Sequence, residues 1–213
     1  GPAHFVGSDI RLRDDALPVG HVAVAYETGG WNDGNSIPIM VMQQLLGQFD
    51  RASGAGPNMA SHLCRQLSEL NLAHSSAAFN TTYTDTGLFG VYFVAEPTDL
   101  QDASHYVMTA LARLYTTLTE EEVERAKQQL KAGLLMQLDG TTVVCEEIGR
   151  QLLSYGRRIT PAELFARVDA VDVAAVHKAA DAVIYDKPIA VAALGHIHEL
   201  PDYHWLSRVR AMI

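Results

Sequence analysis

The first clear period along the chain is the alternation in His21-Val22-Ala23-Val24-Ala25-Tyr26-Glu27, where Val22, Val24 and Tyr26 fall on one side. A repeat of two predicts a strand with one buried face. Ser36 then opens a predicted helix to Leu46, with Pro38 tolerated in its first turn because the amide it lacks has no partner there. A loop over 50–57 precedes a short predicted helix over 59–70. Strands are predicted over 75–82 and 88–95, and Thr84-Asp85-Thr86-Gly87 between them reads as a tight turn, making a hairpin.

Beyond the hairpin the period lengthens. Ala103, Tyr106, Val107, Ala110, Leu111, Leu114, Tyr115 and Leu118 recur at three and four, the stripe of an amphipathic helix. Thr119 with Glu122 forms a capping box for a helix to Leu138. Another helix is predicted over 142–155, stopping at Gly156. Thr160-Pro161-Ala162-Glu163 combines an N-cap, a first-turn proline and a capping-box acid. Asp172 caps a further helix to Ile184, and 189–194 reads as a buried strand. Strands and helices do not alternate as a doubly wound sheet requires. The expected fold is α+β: a mixed, mostly antiparallel sheet with helices packed mainly on one face. At 213 residues, a single domain over 1–213 is expected.

Composition adds little to this: 48% apolar and 19% charged residues suit a globular protein. No apolar run approaches the roughly 20 residues that cross a bilayer, so no transmembrane segment is expected. The first residues carry no charged-then-apolar targeting segment, as in a mature or truncated chain. Gly1-Pro2 reads either as a tag remnant or as native sequence. The net charge of −9 argues against nucleic acid as a partner, since phosphate binding needs clustered Lys and Arg. It fits a basic peptide, although equal acidity occurs in proteins without one. Cys64 and Cys145 form no metal-type pair, and both are expected to be buried free thiols.

Nine histidines invite a test for zinc. A zinc peptidase needs two His one helical turn apart with a carboxylate to activate water, and neither HxxEH nor HExxH occurs. His196 and His198 could share a strand face, but no third ligand is placed beside them, so no metal is expected. Gly54 and Gly56 lack the GK[ST] of a P-loop and the GxGxxG of a dinucleotide turn, which leaves a flexible surface loop. No GxSxG elbow appears, and neither cysteine has a catalytic context. No catalytic residue is therefore assigned within this chain.

Several stretches, in order, resemble one family. They are Phe5-Val6-Gly7-Ser8-Asp9-Ile10-Arg11-Leu12-Arg13-Asp14-Asp15, then Leu17-Pro18 and His21-Val22-Ala23-Val24-Ala25. Trp31 and Leu46-Gly47-Gln48-Phe49-Asp50-Arg51 continue the match. The most specific block is Phe79-Asn80-Thr81-Thr82-Tyr83-Thr84-Asp85-Thr86-Gly87-Leu88-Phe89-Gly90-Val91-Tyr92. Gln137-Leu138-Asp139-Gly140-Thr141, Glu146-Glu147-Ile148-Gly149-Arg150-Gln151 and Tyr155-Gly156-Arg157-Arg158-Ile159 complete it. Together they resemble the second, metal-free half of mitochondrial processing peptidase β-subunits, in the pitrilysin-like zinc peptidases.

The resemblance implies a two-domain β-subunit whose N-terminal half carries HxxEH and the zinc, so the isolated C-terminal half is expected to be inactive. It implies two facing halves around a chamber, an α-subunit partner, Arg-rich presequence peptides as substrates, and the mitochondrial matrix as location. It also implies a substrate contact. In larger relatives the stretch beginning Phe-Asn-Thr is followed by an Arg and later a Tyr near the zinc. Aligned on Phe79-Asn80-Thr81, Tyr83 takes the Arg position and Gly90 the Tyr position. Tyr83 then either donates its phenolic hydrogen to a developing oxyanion or packs at the turn. Asn80 either contacts substrate or satisfies nearby backbone groups. The core I structural subunits of ubiquinol–cytochrome c reductase share the same second half, so an assembly role is the alternative. A stand-alone peptide-binding or dimerisation module is a third.

Overall fold

A computed structural model describes residues 3–53 and 59–208. Gly1-Pro2 and the glycines at 54 and 56 lie outside them. The alternating segment forms the long strand β2 (Gly20–Gly29), with Val22, Val24 and Tyr26 essentially inaccessible. It is flanked antiparallel on one side by β5 (Thr86–Ala95) and on the other by β6 (Ile189–Gly195). β4 (Ser75–Thr82) pairs with β5, and the short β3 (Gln48–Asp50) pairs with β4. β1 (Ser8–Arg13) runs parallel to β6, the one parallel pair of a six-stranded sheet ordered β1-β6-β2-β5-β4-β3.

The expected helices form, and those begun by Ser61, Thr119, Thr160 and Asp172 carry side-chain caps. α1 (Ser36–Leu46) carries Pro38 in its first turn, and α2 (His62–Glu69) starts where Ser61 accepts from the Cys64 amide. α3 (Leu100–Thr116) buries Ala103, Val107, Leu111 and Leu114 of the apolar stripe. α4 (Glu120–Gln137) has the complete Thr119–Glu122 capping box. α5 (Thr141–Tyr155) ends at Gly156, and α6 (Pro161–Asp169) and α7 (Val173–Val183) begin at Thr160 and Asp172. A short α8 (Tyr203–Ser207) ends the described chain. Each such cap satisfies an otherwise unpaired amide, worth about 1 kcal/mol.

One face of the sheet packs on the helices. Val22, Tyr26, Phe89, Val91, Phe93 and Val191 point toward α1, α3 and α7 and join one cluster with Met42, Leu111 and Val176. This bears out the α+β expectation, with refinements. β1, β3 and α8 were not predicted, and β5 starts two residues early, which shortens the hairpin connection to Tyr83-Thr84-Asp85. β6 is not buried throughout: Ile189, Val191 and Ala193 are buried, while Ala192 and Leu194 are exposed. The reason is that the helices cover one side of this strand only. Cys64 is buried as expected, but Cys145 is exposed, because α5 rides outside the core with no buried residue.

Candidate functional site

The strand register assigns the uncovered face residue by residue. Ser8, Ile10 and Leu12 of β1 lie level with Ala190, Ala192 and Leu194 of β6. Next come His21, Ala23, Ala25 and Glu27 of β2, then Val94, Tyr92, Gly90 and Leu88 of β5. Ser75, Ala77, Phe79 and Thr81 of β4, with Asp50 and Gln48 of β3, complete it. The face is thus apolar over most of its width and small at its centre, where Ala23, Ala25, Gly90, Ala190 and Ala192 lie, with Ile10, Leu12, Tyr92 and Leu194 exposed on it. Its strand positions carry two carboxylates, Glu27 and Asp50, and no lysine or arginine.

Polar groups on the face are held in place. The Tyr92 hydroxyl lies 2.7 Å from His21 Nδ1, and the two rings stack with centroids 6.2 Å apart. Thr86 donates through Oγ1 to Glu27 Oε1 at 3.1 Å. Asp50 accepts the Ala52 amide at 2.8 Å, which orients the carboxylate at the sheet edge. At the centre Gly90 comes so close to β2 that a Cβ would collide with the Val24 carbonyl oxygen. Phe79 stands opposite Gly90 in register. A tyrosine, which the resemblance would place at 90, has no room there.

Tyr83 sits at the end of this face, in the connection between β4 and β5, with its side chain half exposed at 52%. Its amide donates to the Thr86 carbonyl at 2.8 Å and its carbonyl accepts the Trp31 amide at 3.1 Å. Gly30 lies against the Thr84 carbonyl so tightly that a side chain would clash, which brings the loop after β2 onto the hairpin turn. Asp85 accepts the Ala3 amide at 2.8 Å. The Trp31 ring meets Tyr155 edge-on at 5.9 Å, and the Arg150 guanidinium lies 5.9 Å over it.

Asn80 is placed differently. It alternates with Phe79 and shares the side of β4 that holds Ser76 and Ala78, against the helices. The structure therefore brings Tyr83, but not Asn80, to the end of the open face. Glu27 and Asp50 went unremarked in the sequence; the opposite parity of Glu27 to Val22, Val24 and Tyr26 was the signal available for it.

The zinc implied for a preceding half finds no fitting donor set here. His196 and His198 lie with ring centroids 4.7 Å apart, and His196 Nε2 is 4.0 Å from Asp15 Oδ1. Among the described residues, no three His, Cys, Asp or Glu side chains converge on one point suited to a metal ion. Nor is any described helix long and apolar enough to cross a membrane.

Comparison with known proteins agrees with this fold. Residues 1–130 match the family model described as Peptidase M16 inactive domain. The mitochondrial-processing peptidase subunit beta of Bos taurus is 49% identical over 203 residues, 95% of this chain and 41% of its own length. The probable mitochondrial-processing peptidase subunit beta of Arabidopsis thaliana is 47% identical over 207 residues, 97% of this chain and 39% of its own length. A chain of complex III2 from Candida albicans, solved with Inz-5 bound, superposes with a TM-score of 0.93 at 29% identity. It is matched over 98% of this chain and 50% of its own length. The chain thus spans about 40% of the length of the curated relatives it matches. A match over more than half the chain, carried through hairpin and helices alike, makes it a member of the peptidase M16 family, within that family's inactive domain.

Proposed function

We propose that this chain is the metal-free C-terminal domain of a processing-peptidase β-subunit and forms one wall of the chamber that holds presequences for cleavage. The observation that carries this is the open sheet face, broad, with no Lys or Arg at its described strand positions and bearing Glu27 and Asp50, with Tyr83 exposed at its end. Such a face suits an extended, Arg-rich peptide: small residues let its backbone approach, and carboxylates attract its arginines. The partners are the zinc-bearing N-terminal half of the same subunit and an α-subunit, and the location is the mitochondrial matrix. Zinc in that companion half supplies the Lewis acid and the activated water. This chain contributes positioning, and alone it cleaves nothing because it has no HxxEH.

The high structural likeness to a complex III2 chain favours a second reading, a core I subunit whose work is assembly. An HxxEH segment upstream in the same reading frame supports the peptidase; its absence supports core I.

The decisive variant is Tyr83→Phe in a full-length enzyme reconstituted with its α-subunit. A hydrogen bond aimed at the tetrahedral intermediate strengthens only as charge develops, so kcat should fall while KM holds. Losing a well-preorganised donor costs roughly 10²-fold. About tenfold is expected here, where a phenol stands in for the guanidinium of larger relatives. Unchanged turnover in Tyr83→Phe, with a destabilised Tyr83→Ala, assigns the ring to packing and removes the contact.

A further inference from the structure

The hairpin turn that presents Tyr83 is not held by its own strands alone. The loop after β2 closes on it from the side: the Trp31 amide donates to the Tyr83 carbonyl, and Gly30 seats against Thr84. Trp31 is itself gripped from α5, by the edge of Tyr155 and the guanidinium of Arg150. Asn32 adds a 3.5 Å hydrogen bond from Nδ2 to the Ser154 carbonyl. α5 is in turn tied to the body near its C-terminus, where Gln151 accepts the Ile159 amide at 2.8 Å. A chain of contacts therefore runs from an outlying helix through one indole to the turn.

From this arrangement we infer that Trp31, clamped by Arg150 and Tyr155, is a positioning residue that fixes the β4–β5 turn and with it the direction of the Tyr83 side chain. The clamp is physical whatever Tyr83 does; its effect on rate rests on the role proposed for Tyr83 above. Two features make Trp31 suited to this task. Its backbone bonds the residue it positions, so any shift of residue 31 is passed on directly. Its ring is fixed by an aromatic edge and a cation, contacts that fail if the plane rotates.

Hydrogen exchange at the amides of residues 31 and 83 in the 213-residue chain reads the clamp, since both are bonded at the turn. Arg150→Gln should speed their exchange about two- to fivefold, the worth of an exposed cation–π contact. Trp31→Leu should speed it further, and Arg150→Lys, which keeps a cation over the ring, should restore most of the protection. In the reconstituted enzyme, Arg150→Gln should lower kcat with KM unchanged. Combined with Tyr83→Phe it should add no further loss, because both act through one hydroxyl. Unaltered exchange in both Arg150→Gln and Trp31→Leu overturns the clamp. Faster exchange beside normal turnover in Tyr83→Phe upholds the clamp and instead removes the role proposed for Tyr83.

Discussion

At the scale of single residues, the tightest constraint on the open face is Gly90. A methyl group there meets the Val24 carbonyl oxygen and the Ala25 backbone, and main chain in mid-sheet cannot step aside. Gly90→Ala should therefore destabilise the chain by about 1–3 kcal/mol, the usual cost of overpacking. In a chain of this size the melting temperature falls roughly 2–4 °C for each of these. Gly133 is the control. It lies within α4 with nothing within 4 Å of an added Cβ, so Gly133→Ala should raise stability by about 0.5–1 kcal/mol through helix propensity. Thermal melts of the two variants should move in opposite directions. The same scale shows where the sequence was mute. Ala78 and Phe79 are both apolar, so no polarity pattern could tell which side of β4 faces the helices. Only the pairing of Ala78 with Val91 and of Phe79 with Gly90 settles that Asn80 lies on the helix side.

Among the elements, those with local causes were legible. The Thr119–Glu122 box, the Thr160-Pro161 start and the Asp172 cap each satisfy amides within one turn, so neighbouring residues suffice to reveal them. β1 and β3 are edge strands defined by partners far away in sequence. β1 alternates Ile10 and Leu12 with Asp9, Arg11 and Arg13, but over six residues only and with Arg11 turned to the Leu200 and Pro201 carbonyls, while β3, at three residues, is too short to show a period. The junction of α5 and α6 yields a prediction of its own. Arg157 makes two hydrogen bonds to the Glu163 carboxylate, at 2.6 and 2.8 Å, and Arg167 makes one at 2.7 Å. These bonds, those of Arg157 foremost, hold the Glu163 carboxyl down at about 2. A depressed folded value means the stabilisation is complete above the ordinary glutamate value near 4.5 and drains away as the pH falls toward 2. Glu163→Gln lacks the charge at every pH. The melting-temperature gap between the parent chain and this variant should therefore be widest above pH 5 and close as the pH approaches 2. A gap independent of pH would show that the Arg157 and Arg167 contacts contribute through packing alone.

For the molecule as a whole, the question is where its excess of negative charge acts. The total of −9 was legible at once, but its placement needed the sheet. Glu27 and Asp50 share the open face with no Lys or Arg at its strand positions, while exposed carboxylates such as Glu69 of α2 and Asp181 of α7 belong to the helical layer. If the face holds an Arg-rich peptide, binding should weaken as salt rises, because the Debye length shrinks from about 30 Å at 0.01 M to about 10 Å at 0.1 M. Titration calorimetry across that range should show the affinity falling by roughly tenfold, as a few partly screened charge pairs allow. Glu27→Gln and Asp50→Asn should each lower affinity at low salt and flatten its salt dependence. Glu69→Gln and Asp181→Asn remove the same formal charge from the other side, and should change neither by more than a small fraction. Equal weakening by all four would mean that the net charge attracts the peptide without regard to the face. Binding indifferent to salt would leave the apolar surface of Ile10, Leu12, Tyr92 and Leu194 as the source of affinity, and the two carboxylates without a part in it.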